Sequence, residues 1–380
     1  MAQTLLSVLD LVPLSSGATT TESVGNAIDL AQRCEDFGYR RYWFAEHHLN
    51  PGVGGTSPAV MIALVAPHTS RIRLGSAGVQ MGHRTALSVV EEFGLLDSLF
   101  PGRLDLGLGR SGGRGFTSTR RQADPTALPA DAGDIERAPN GLPIPLAQLL
   151  PREARSPRMA LNRELLQQPH AETPDYAEQV RDIADLLAGT WTNADGIRAE
   201  VIPGQGADVT LWILGSSPGL SAQTAGARGL HFAANYHVSP GTVLEAVDAY
   251  REAFRPSAGL DRPYVAVSAD VVVGEDDETA TELATGYGLW VRSIRTGEGA
   301  IAFPTPDEAR RHRWTETERA IVSDRVATQI VGSPQTVAAG LDLLADATGA
   351  DELVITTITH DHADRVRSYE LLAKEWFGRS

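Results

Sequence analysis

Tyr42-Trp43-Phe44-Ala45-Glu46-His47-His48 joins an aromatic, strand-like run to three ionisable side chains, and a turn at Asn50-Pro51-Gly52 follows. Alternation along a strand places Glu46 and His48 on one side and His47 on the other. Histidine changes charge near neutral pH, and the carboxyl end of a buried strand suits it for proton transfer. We therefore predict that one imidazole of this cluster faces a cavity. The alternative is a polar strand end that only binds loop backbone.

Strand-like and helix-like segments alternate outward from this stretch through most of the chain. Such alternation with short links predicts a parallel sheet wrapped by helices. Eight strands favour a closed (β/α)8 TIM barrel over an open doubly wound sheet, and we expect a single α/β domain over residues 1–380. The predicted strands are residues 5–12, 40–45, 72–79, 104–108, 211–214, 230–234, 265–273 and 353–357. The predicted helices are residues 22–37, 58–69, 86–99, 176–187, 221–227, 243–254, 335–347 and 363–376.

Two excursions interrupt this alternation. Residues 111–174 follow the fourth barrel strand, contain nine of the 22 prolines and show little hydrophobic periodicity. Long irregular segments of this kind form lids or stay disordered, and we expect this insertion to be a lid. Residues 274–331 follow the seventh barrel strand and carry Tyr287, Trp290 and Phe303, which predicts helices packed over the barrel mouth.

Composition and charge exclude several classes of function. The formal net charge of −15 disfavours nucleic acid as a partner, because phosphate binding needs clustered cations. No uninterrupted apolar run approaches the roughly 20 residues of a membrane span, and no signal peptide is evident, so we expect a cytoplasmic protein. Cys34 is the only cysteine, on the apolar face of a predicted helix, which indicates a buried structural thiol. Lys374 is the only lysine, which disfavours pyridoxal-phosphate enzymes, Schiff-base aldolases and Walker-type phosphate loops.

Two glycine-rich segments follow predicted strands. Residues 107–112 have GxGxxG spacing, but a Rossmann fingerprint must open a helix, and this one runs into proline-rich sequence. We interpret it as a strand exit that lets backbone approach a ligand, with Arg110 as a bidentate phosphate partner. Gly215, Ser216 and Ser217 precede a helix and predict an anion cradle of backbone N–H groups and hydroxyls. The alternative for this second segment is an ordinary helix N-cap.

Two further strand ends are expected at the same mouth of the barrel. Ser76, Ala77 and Gly78 place small side chains at the end of the third strand, which would make room for a flat ring. The alternative is tight packing or a bulge. His237 follows the sixth strand and is predicted to face the same mouth as His47.

A metal-dependent hydrolase is a competing hypothesis. His360-Asp361-His362 closes the eighth strand and, with Glu46 and His47, has the composition of a carboxylate–histidine metal site. Val12-Pro13-Leu14 stands where paired histidines would be expected at the end of the first strand, and no lysine is placed to serve as a bridging ligand. We therefore expect no metal among the site residues.

Six runs of the sequence together resemble the bacterial luciferase-like flavin monooxygenase family. They are RYWFAEHH at 41–48, RIRLGSAGV at 71–79, FPGRLDLGLGR at 100–110, WILGSS at 212–217, IVGSPQTV at 330–337 and DELVIT at 351–356. The resemblance covers nearly the whole chain and is weakest at the insertion. Gly109 occupies the place of a luciferase-type reactive cysteine, so light emission is not expected.

This resemblance implies a (β/α)8 barrel that binds FMN at its carboxyl-terminal face, usually as a homodimer. It implies that His47 is a catalytic base near the flavin, within a motif that includes Glu46. In the mechanism that we expect on this basis, His237 orients the substrate. It also implies a non-proline cis peptide between residues 76 and 78, although the sequence does not identify the bond. The cofactor-binding residues expected on this basis are Ser76, Ala77, Gly78, Arg110, Gly215, Ser216 and Ser217.

The function expected from this resemblance is that of an FMN-dependent monooxygenase. It would take reduced FMN from a separate flavin reductase and use O2 to oxygenate a small organic substrate. Two alternatives remain within the same barrel: a deazaflavin-dependent enzyme that transfers hydride, and a flavin-binding protein without catalytic activity.

Overall fold

The structure is a computed structural model that describes residues 3–110, 135–146 and 157–379. The strands in these ranges are β1 (Leu5–Asp10), β2 (Arg41–Phe44), β3 (Arg73–Ser76), β4 (Val79–Gln80), β5 (Leu104–Gly109), β6 (Ile135–Arg137), β7 (Pro143–Pro145), β8 (Val209–Gly215), β9 (His231–Asn235), β10 (Val265–Val273), β11 (Ile330–Gly332) and β12 (Glu352–Thr356). The helices are α1 (Thr20–Phe37), α2 (Pro58–Val65), α3 (Ala86–Leu99), α4 (Pro157–Leu166), α5 (Tyr176–Ala188), α6 (Leu220–Ala227), α7 (Val243–Ala253), α8 (Asp277–Leu283), α9 (Tyr287–Arg295), α10 (Pro306–Arg311), α11 (Glu316–Thr328), α12 (Pro334–Thr348) and α13 (His362–Gly378).

Eight of these strands form a closed parallel barrel. They follow one another in the order β1, β2, β3, β5, β8, β9, β10 and β12, and β12 pairs with β1 to complete the circle. β10 shows why the sheet must be covered on both faces, because all nine of its residues, VAVSADVVV, are buried. The structure therefore confirms the predicted (β/α)8 fold. In a closed parallel barrel the carboxyl ends of all eight strands meet at one mouth.

The insertion after the fourth barrel strand contains regular structure where it is described. β6 and β7 form an antiparallel hairpin. Asn140 Nδ2 fastens it to the carbonyl oxygen of Leu343 at 2.8 Å, and the Tyr236 hydroxyl donates to the carbonyl oxygen of Pro143 at 2.7 Å. Residues 111–134 and 147–156, on which much of the predicted lid falls, lie outside the described residues.

The second excursion is helical, as the sequence predicts. Helices α8 to α11 lie between β10 and β11, and β11 adds a short parallel strand to the end of β10. Tyr287 and Trp290 on α9 pack with Phe303 in a buried apolar cluster. Arg325 on α11 donates to Asp270 on β10 at 3.0 Å, which ties this excursion to the barrel strand.

A buried ionic network occupies the barrel near the amino ends of its strands. Asp105 accepts hydrogen bonds from Arg41 Nη1 at 2.8 Å, from Arg73 Nη2 at 2.8 Å and from Trp43 Nε1 at 3.0 Å. Arg41 Nε also donates to Glu352 at 3.1 Å. Charges taken out of water require such partners, and each carboxylate here has at least one arginine.

Two expectations from composition can be compared with the structure directly. Cys34 is fully buried on α1, and burial raises the pKa of its thiol well above the usual value, as expected for a structural residue. In the ranges that the structure covers, no helix combines the length and the apolar character needed to cross a bilayer.

Candidate active site

A cavity of about 510 Å³ opens at the carboxyl ends of the barrel strands. That volume is typical of small-molecule sites. Trp43, Leu9, Leu214 and Val354 contribute to its apolar walls. The predicted site residues that line it are Glu46, His47, Ala77, Gly78, Arg110, Gly215, Ser216, Ser217 and His237. The carboxyl ends of five different barrel strands, with the loops that follow them, therefore bring these residues to one place.

His47 lies three residues beyond the end of β2. Its backbone N–H donates to the carbonyl oxygen of Gly55 at 2.8 Å, which fixes the loop, and its ring lines the cavity. Burial, and then the neighbouring charge of His48, lower the pKa of His47, so the imidazole is neutral at physiological pH. Its Nδ1 atom is buried and has no hydrogen-bond partner among the described residues. A buried polar atom in this state is costly unless a ligand bonds it.

Glu46 is held by other residues rather than free to exchange protons. Its Oε1 atom lies 2.9 Å from His48 Nε2 and 3.1 Å from His83 Nε2, and its Oε2 atom accepts from the backbone N–H of Gln80 at 3.0 Å. Burial alone would raise the pKa of Glu46, but the hydrogen bonds from His48, His83 and Gln80 lower it to about 2. The carboxylate is therefore ionised across the physiological range, which suits a positioning role.

The three side chains Glu46, His48 and His83 also have the composition of a metal site. Each imidazole already donates to the carboxylate, and His83 Nδ1 has no hydrogen-bond acceptor among the described residues. Metal-binding histidines normally donate their second N–H to such an acceptor. The geometry is explained by hydrogen bonds to Glu46.

His237 follows β9 and contacts β10. Its Nδ1 atom lies 2.5 Å from the hydroxyl oxygen of Ser268, and its backbone N–H donates to the Ser268 carbonyl oxygen at 3.1 Å. Burial, and then the charges of Arg325 and His47, lower the pKa of His237 to about 3. A second neutral imidazole therefore lines the cavity.

The segment after β3 forms another wall. The peptide bond between Ala77 and Gly78 is cis, and both residues line the cavity. A Cβ atom on Gly78 would come within 2.7 Å of the Gly107 carbonyl oxygen, so glycine is required by close backbone packing as well. Ser76 lies behind the wall, where its hydroxyl donates to the Gly107 carbonyl oxygen and accepts from the Gly107 N–H, both at 2.9 Å.

Another part of the cavity lining is suited to an anion. Arg110 lies at the end of β5, and Ser216 and Ser217 lie between β8 and α6. Gly219 is the N-cap of α6 and makes no side-chain cap, so the first N–H groups of the helix have no capping side chain. Thr242 donates to the Ser216 carbonyl oxygen at 2.6 Å, which holds the loop. A cation and a helix amino terminus together favour phosphate.

The residues of the competing metal site do not meet. His362 Nε2 lies 2.9 Å from Asp29 on α1, and His360 Nε2 lies 3.2 Å from the Ser16 carbonyl oxygen. Neither lines the cavity that contains His47. Asp361 is the N-cap of α13.

Several lining residues escaped the sequence analysis. Gln80, Asn235 and Ser268 line the cavity with the predicted residues, and His83 lies behind Glu46. Ser268 lies inside the apolar run VAVSADVVV, where a buried hydroxyl must find a partner, and this was a usable signal. His83 gave no such signal, because its partner is distant in the chain.

Comparisons with known proteins identify the family of the chain. Residues 6–126 and 158–352 match the family model described as Luciferase-like monooxygenase. The Bacillus subtilis protein YvbT is 35% identical over 377 residues, which cover 99% of this chain and 98% of that protein. A luciferase-like monooxygenase of Escherichia coli is 31% identical over 370 residues, which cover 96% and 95%. The crystal structure of apo-MsnO8 superposes with a TM-score of 0.76 at 28% identity and covers 99% of this chain and 98% of its own. The chain therefore belongs to the luciferase-like monooxygenase family.

Proposed function

We propose that this protein is an FMN-dependent monooxygenase that uses reduced FMN and O2 to oxygenate a small organic substrate. One observation carries the proposal: Arg110 and the first residues of α6 line the same cavity as His47 and His237. A phosphate-bearing redox ring needs an anion site joined to an apolar slot with a few polar groups. This cavity has both parts.

The residues present fit FMN. Arg110, Ser216 and Ser217 would bind the phosphate, with the backbone N–H groups at the start of α6. Ala77 and Gly78 would border the ring, because their side chains leave space beside the wall. Within the part of the chain that the structure describes, His47 Nδ1 is buried without a hydrogen-bond partner, which supports a ligand at this position. Bound reduced FMN would supply the electrons that activate O2.

The roles of the protein side chains follow from their charge states. His47 is neutral and can accept a proton at its imidazole during turnover. Glu46 stays ionised and holds His48 and His83, so its contribution is to orient the loop that carries His47. Leu9, Trp43 and the other apolar walls exclude water from the reacting groups.

The fold is shared by proteins that use FMN and by proteins that use the deazaflavin F420. Two solved structures share the fold alone, at 19% and 14% identity and TM-scores of 0.62 and 0.59. One is a Baeyer–Villiger monooxygenase component from Pseudomonas putida in complex with FMN, and the other is an F420-dependent secondary alcohol dehydrogenase. Deazaflavin-dependent hydride transfer is therefore the second candidate.

A coenzyme titration tests the proposal. Purified protein is titrated with FMN and with F420, followed by fluorescence, in the wild type and in Arg110→Ala. Loss of a charge-assisted phosphate contact should weaken FMN binding by about 1.5–3 kcal/mol, or roughly 10- to 150-fold. Arg255→Ala is the matched control, because Arg255 is exposed and does not line the cavity. Tight F420 binding without FMN binding would favour the deazaflavin enzyme.

An oxygen-consumption assay then separates an enzyme from a flavin carrier. Protein with reduced FMN is mixed with O2 and a candidate substrate, and product is measured by mass spectrometry. An N-acetyl-S-alkylcysteine is a reasonable first substrate, because a Bacillus subtilis N-acetyl-S-alkylcysteine monooxygenase is 42% identical over 108 residues, which cover 28% of this chain and 32% of that protein.

We also propose that a separate flavin reductase supplies the reduced FMN. Replacing the reductase with chemically reduced FMN should therefore support the same product.

We further propose that the protein forms a homodimer through α2 and α3. Val60 and Leu64 on α2 are exposed, and so are Leu87, Leu95 and Leu99 on the adjacent α3. Exposed apolar side chains on two adjacent helices are what an interface between copies of the chain would cover. Leu95→Glu should give a monomer in analytical ultracentrifugation, whereas Val326→Glu, a control at an exposed valine on α11, should not. A wild-type monomer would contradict this proposal.

A further inference from the structure

Ser268 contacts His237 through both its backbone and its side chain. The two residues lie on neighbouring elements, since His237 follows β9 and Ser268 is within β10. The Ser268 carbonyl oxygen accepts the His237 backbone N–H at 3.1 Å, and the hydroxyl oxygen lies 2.5 Å from His237 Nδ1. The imidazole is therefore fixed in orientation by one residue of the adjacent strand.

The other neighbours of the Ser268 hydroxyl decide the direction of that bond. Its oxygen lies 3.3 Å from the Ala234 carbonyl oxygen and 3.4 Å from Asn235 Oδ1. Carbonyl oxygens can only accept hydrogen bonds, and the Ser268 hydroxyl has a single proton. That proton is therefore directed toward these two oxygens of β9. The hydroxyl then accepts the proton of His237 Nδ1. The reverse assignment would leave three oxygen atoms facing one another without a proton between them.

We propose that Ser268 is a positioning residue that fixes His237 as the tautomer protonated on Nδ1, so that Nε2 presents a hydrogen-bond acceptor to the cavity. The ligand group next to His237 is then an N–H or O–H donor. No described residue bonds Nε2, which leaves this atom for a ligand. Most neutral histidines in water carry the proton on Nε2, so the tautomer is a specific consequence of this fold.

Charged groups around His237 keep it neutral and so preserve the acceptor. Arg325 on α11 contributes a positive charge near His237. It pairs with Asp270 at 3.0 Å and also donates to the Tyr287 hydroxyl at 3.1 Å. His47 faces it from the loop after β2. With burial, these neighbours oppose a second proton on the ring. The two imidazoles therefore differ in the hydrogen bonding of Nδ1. In His237 this atom is bonded to Ser268, whereas in His47 it has no partner among the described residues.

Nitrogen-15 NMR of histidine-labelled protein tests the tautomer directly. The chain has ten histidines, and the His237 signals are those absent from His237→Gln. We expect a protonated Nδ1 and an unprotonated Nε2 in the wild type at neutral pH. Ser268→Ala should move the proton to Nε2, because Nδ1 then lacks its acceptor. Ser268→Thr keeps the hydroxyl and should keep the wild-type pattern. An unchanged pattern in Ser268→Ala, or a wild type protonated on Nε2, overturns the proposal.

The consequence for turnover rests on the proposed function, whereas the tautomer does not. Ser268→Ala should lower kcat at least about tenfold, with FMN affinity unchanged, and Ser268→Thr should restore it. The thermal midpoints of both variants show whether they fold. If the NMR pattern is as expected and no turnover with FMN is found, the proposed function fails and the tautomer stands. If turnover is found and Ser268→Ala changes neither tautomer nor kcat, only this inference fails.

Discussion

The two ends of the barrel interior differ in how completely their buried polar groups are hydrogen-bonded. Near the amino ends of the strands, Asp105 and Glu352 accept hydrogen bonds from arginine, tryptophan, serine and tyrosine donors. At the carboxyl ends, His47 and His237 are neutral, and His47 keeps a buried nitrogen without a partner among the described residues. Trp43 separates the two regions, since its Nε1 atom binds Asp105 and its ring lines the cavity. Complete internal pairing indicates a structural site, and incomplete pairing indicates a ligand site.

Breaking the saturated network should give the largest effect on stability. Asp105→Asn removes the charge that faces Arg41 and Arg73, and leaves buried cations with too few anions. We expect a loss of about 3–5 kcal/mol in the free energy of unfolding, measured by urea denaturation. Asp36→Asn is the control, because the Arg71–Asp36 pair is exposed and long at 4.0 Å, and should change stability by less than about 1 kcal/mol. A cost for Asp105→Asn as small as that of the control would contradict the contrast between the two ends.

At the other end of the barrel, removing an imidazole should affect turnover more than stability. His47→Gln should lower kcat about 100-fold, or about 2.7 kcal/mol in activation free energy, because general base catalysis is lost. FMN affinity should change little, since the phosphate contacts remain. His68→Gln, at an exposed histidine, is the matched control. Wild-type turnover by His47→Gln would contradict the role of His47 as the general base.

Glu46 lies at the carboxyl end of the barrel, but its carboxylate has hydrogen-bond partners as complete as those of Asp105 and Glu352. Glu46→Gln keeps the shape of the side chain but removes the charge that accepts from His48 and His83. We expect a loss of about 1–3 kcal/mol in stability and a smaller fall in kcat than in His47→Gln. A fall in kcat as large as that of His47→Gln, with stability unchanged, would identify Glu46 as a proton carrier.

The neutral histidines predict how stability depends on pH. An unfolded histidine takes up a proton near its ordinary value of 6.5, whereas the pKa of His237 is lowered to about 3 in the fold. Between these values the unfolded state binds more protons, so stability falls as pH drops below 6.5 and is fully present above it. One such group contributes at most about 1.4 kcal/mol per pH unit. The free energy of unfolding, measured by urea denaturation at several pH values in this range, should fall less steeply with decreasing pH in His237→Gln than in the wild type. An equal pH dependence in the two proteins would contradict the lowered pKa of His237.

Much of the fold was accessible to sequence reasoning. The predicted helix at 86–99 coincides with α3, and the predicted strand at 265–273 coincides with β10. Both follow from local periodicity, which a window of a few turns or residues already contains. β6, β7 and α4 were missed, because the insertion shows no such periodicity and its hairpin is held by contacts to α12 and Tyr236.

The sequence alone predicts part of the candidate site. Nine predicted site residues line one cavity, and the polar strand ends that identified them are local features as well. Ser76 illustrates the limit, because its position next to Ala77 and Gly78 did not reveal that its hydroxyl binds Gly107 behind the wall. The side-chain direction of a residue at a strand end depends on the neighbouring strand.

Hydrophobic period and turn residues act over short stretches of chain, so the eight alternating units, their order and the polar residues at their carboxyl ends follow from the amino-acid order alone. Which of these polar groups find partners depends on the folded arrangement of the segments. Glu46 meets His83, His237 meets Ser268 and Asp105 meets Arg41 through packing between segments that are distant along the chain. Those pairings set the charge of each group, and with it the difference between the structural end of the barrel and the end that binds a ligand.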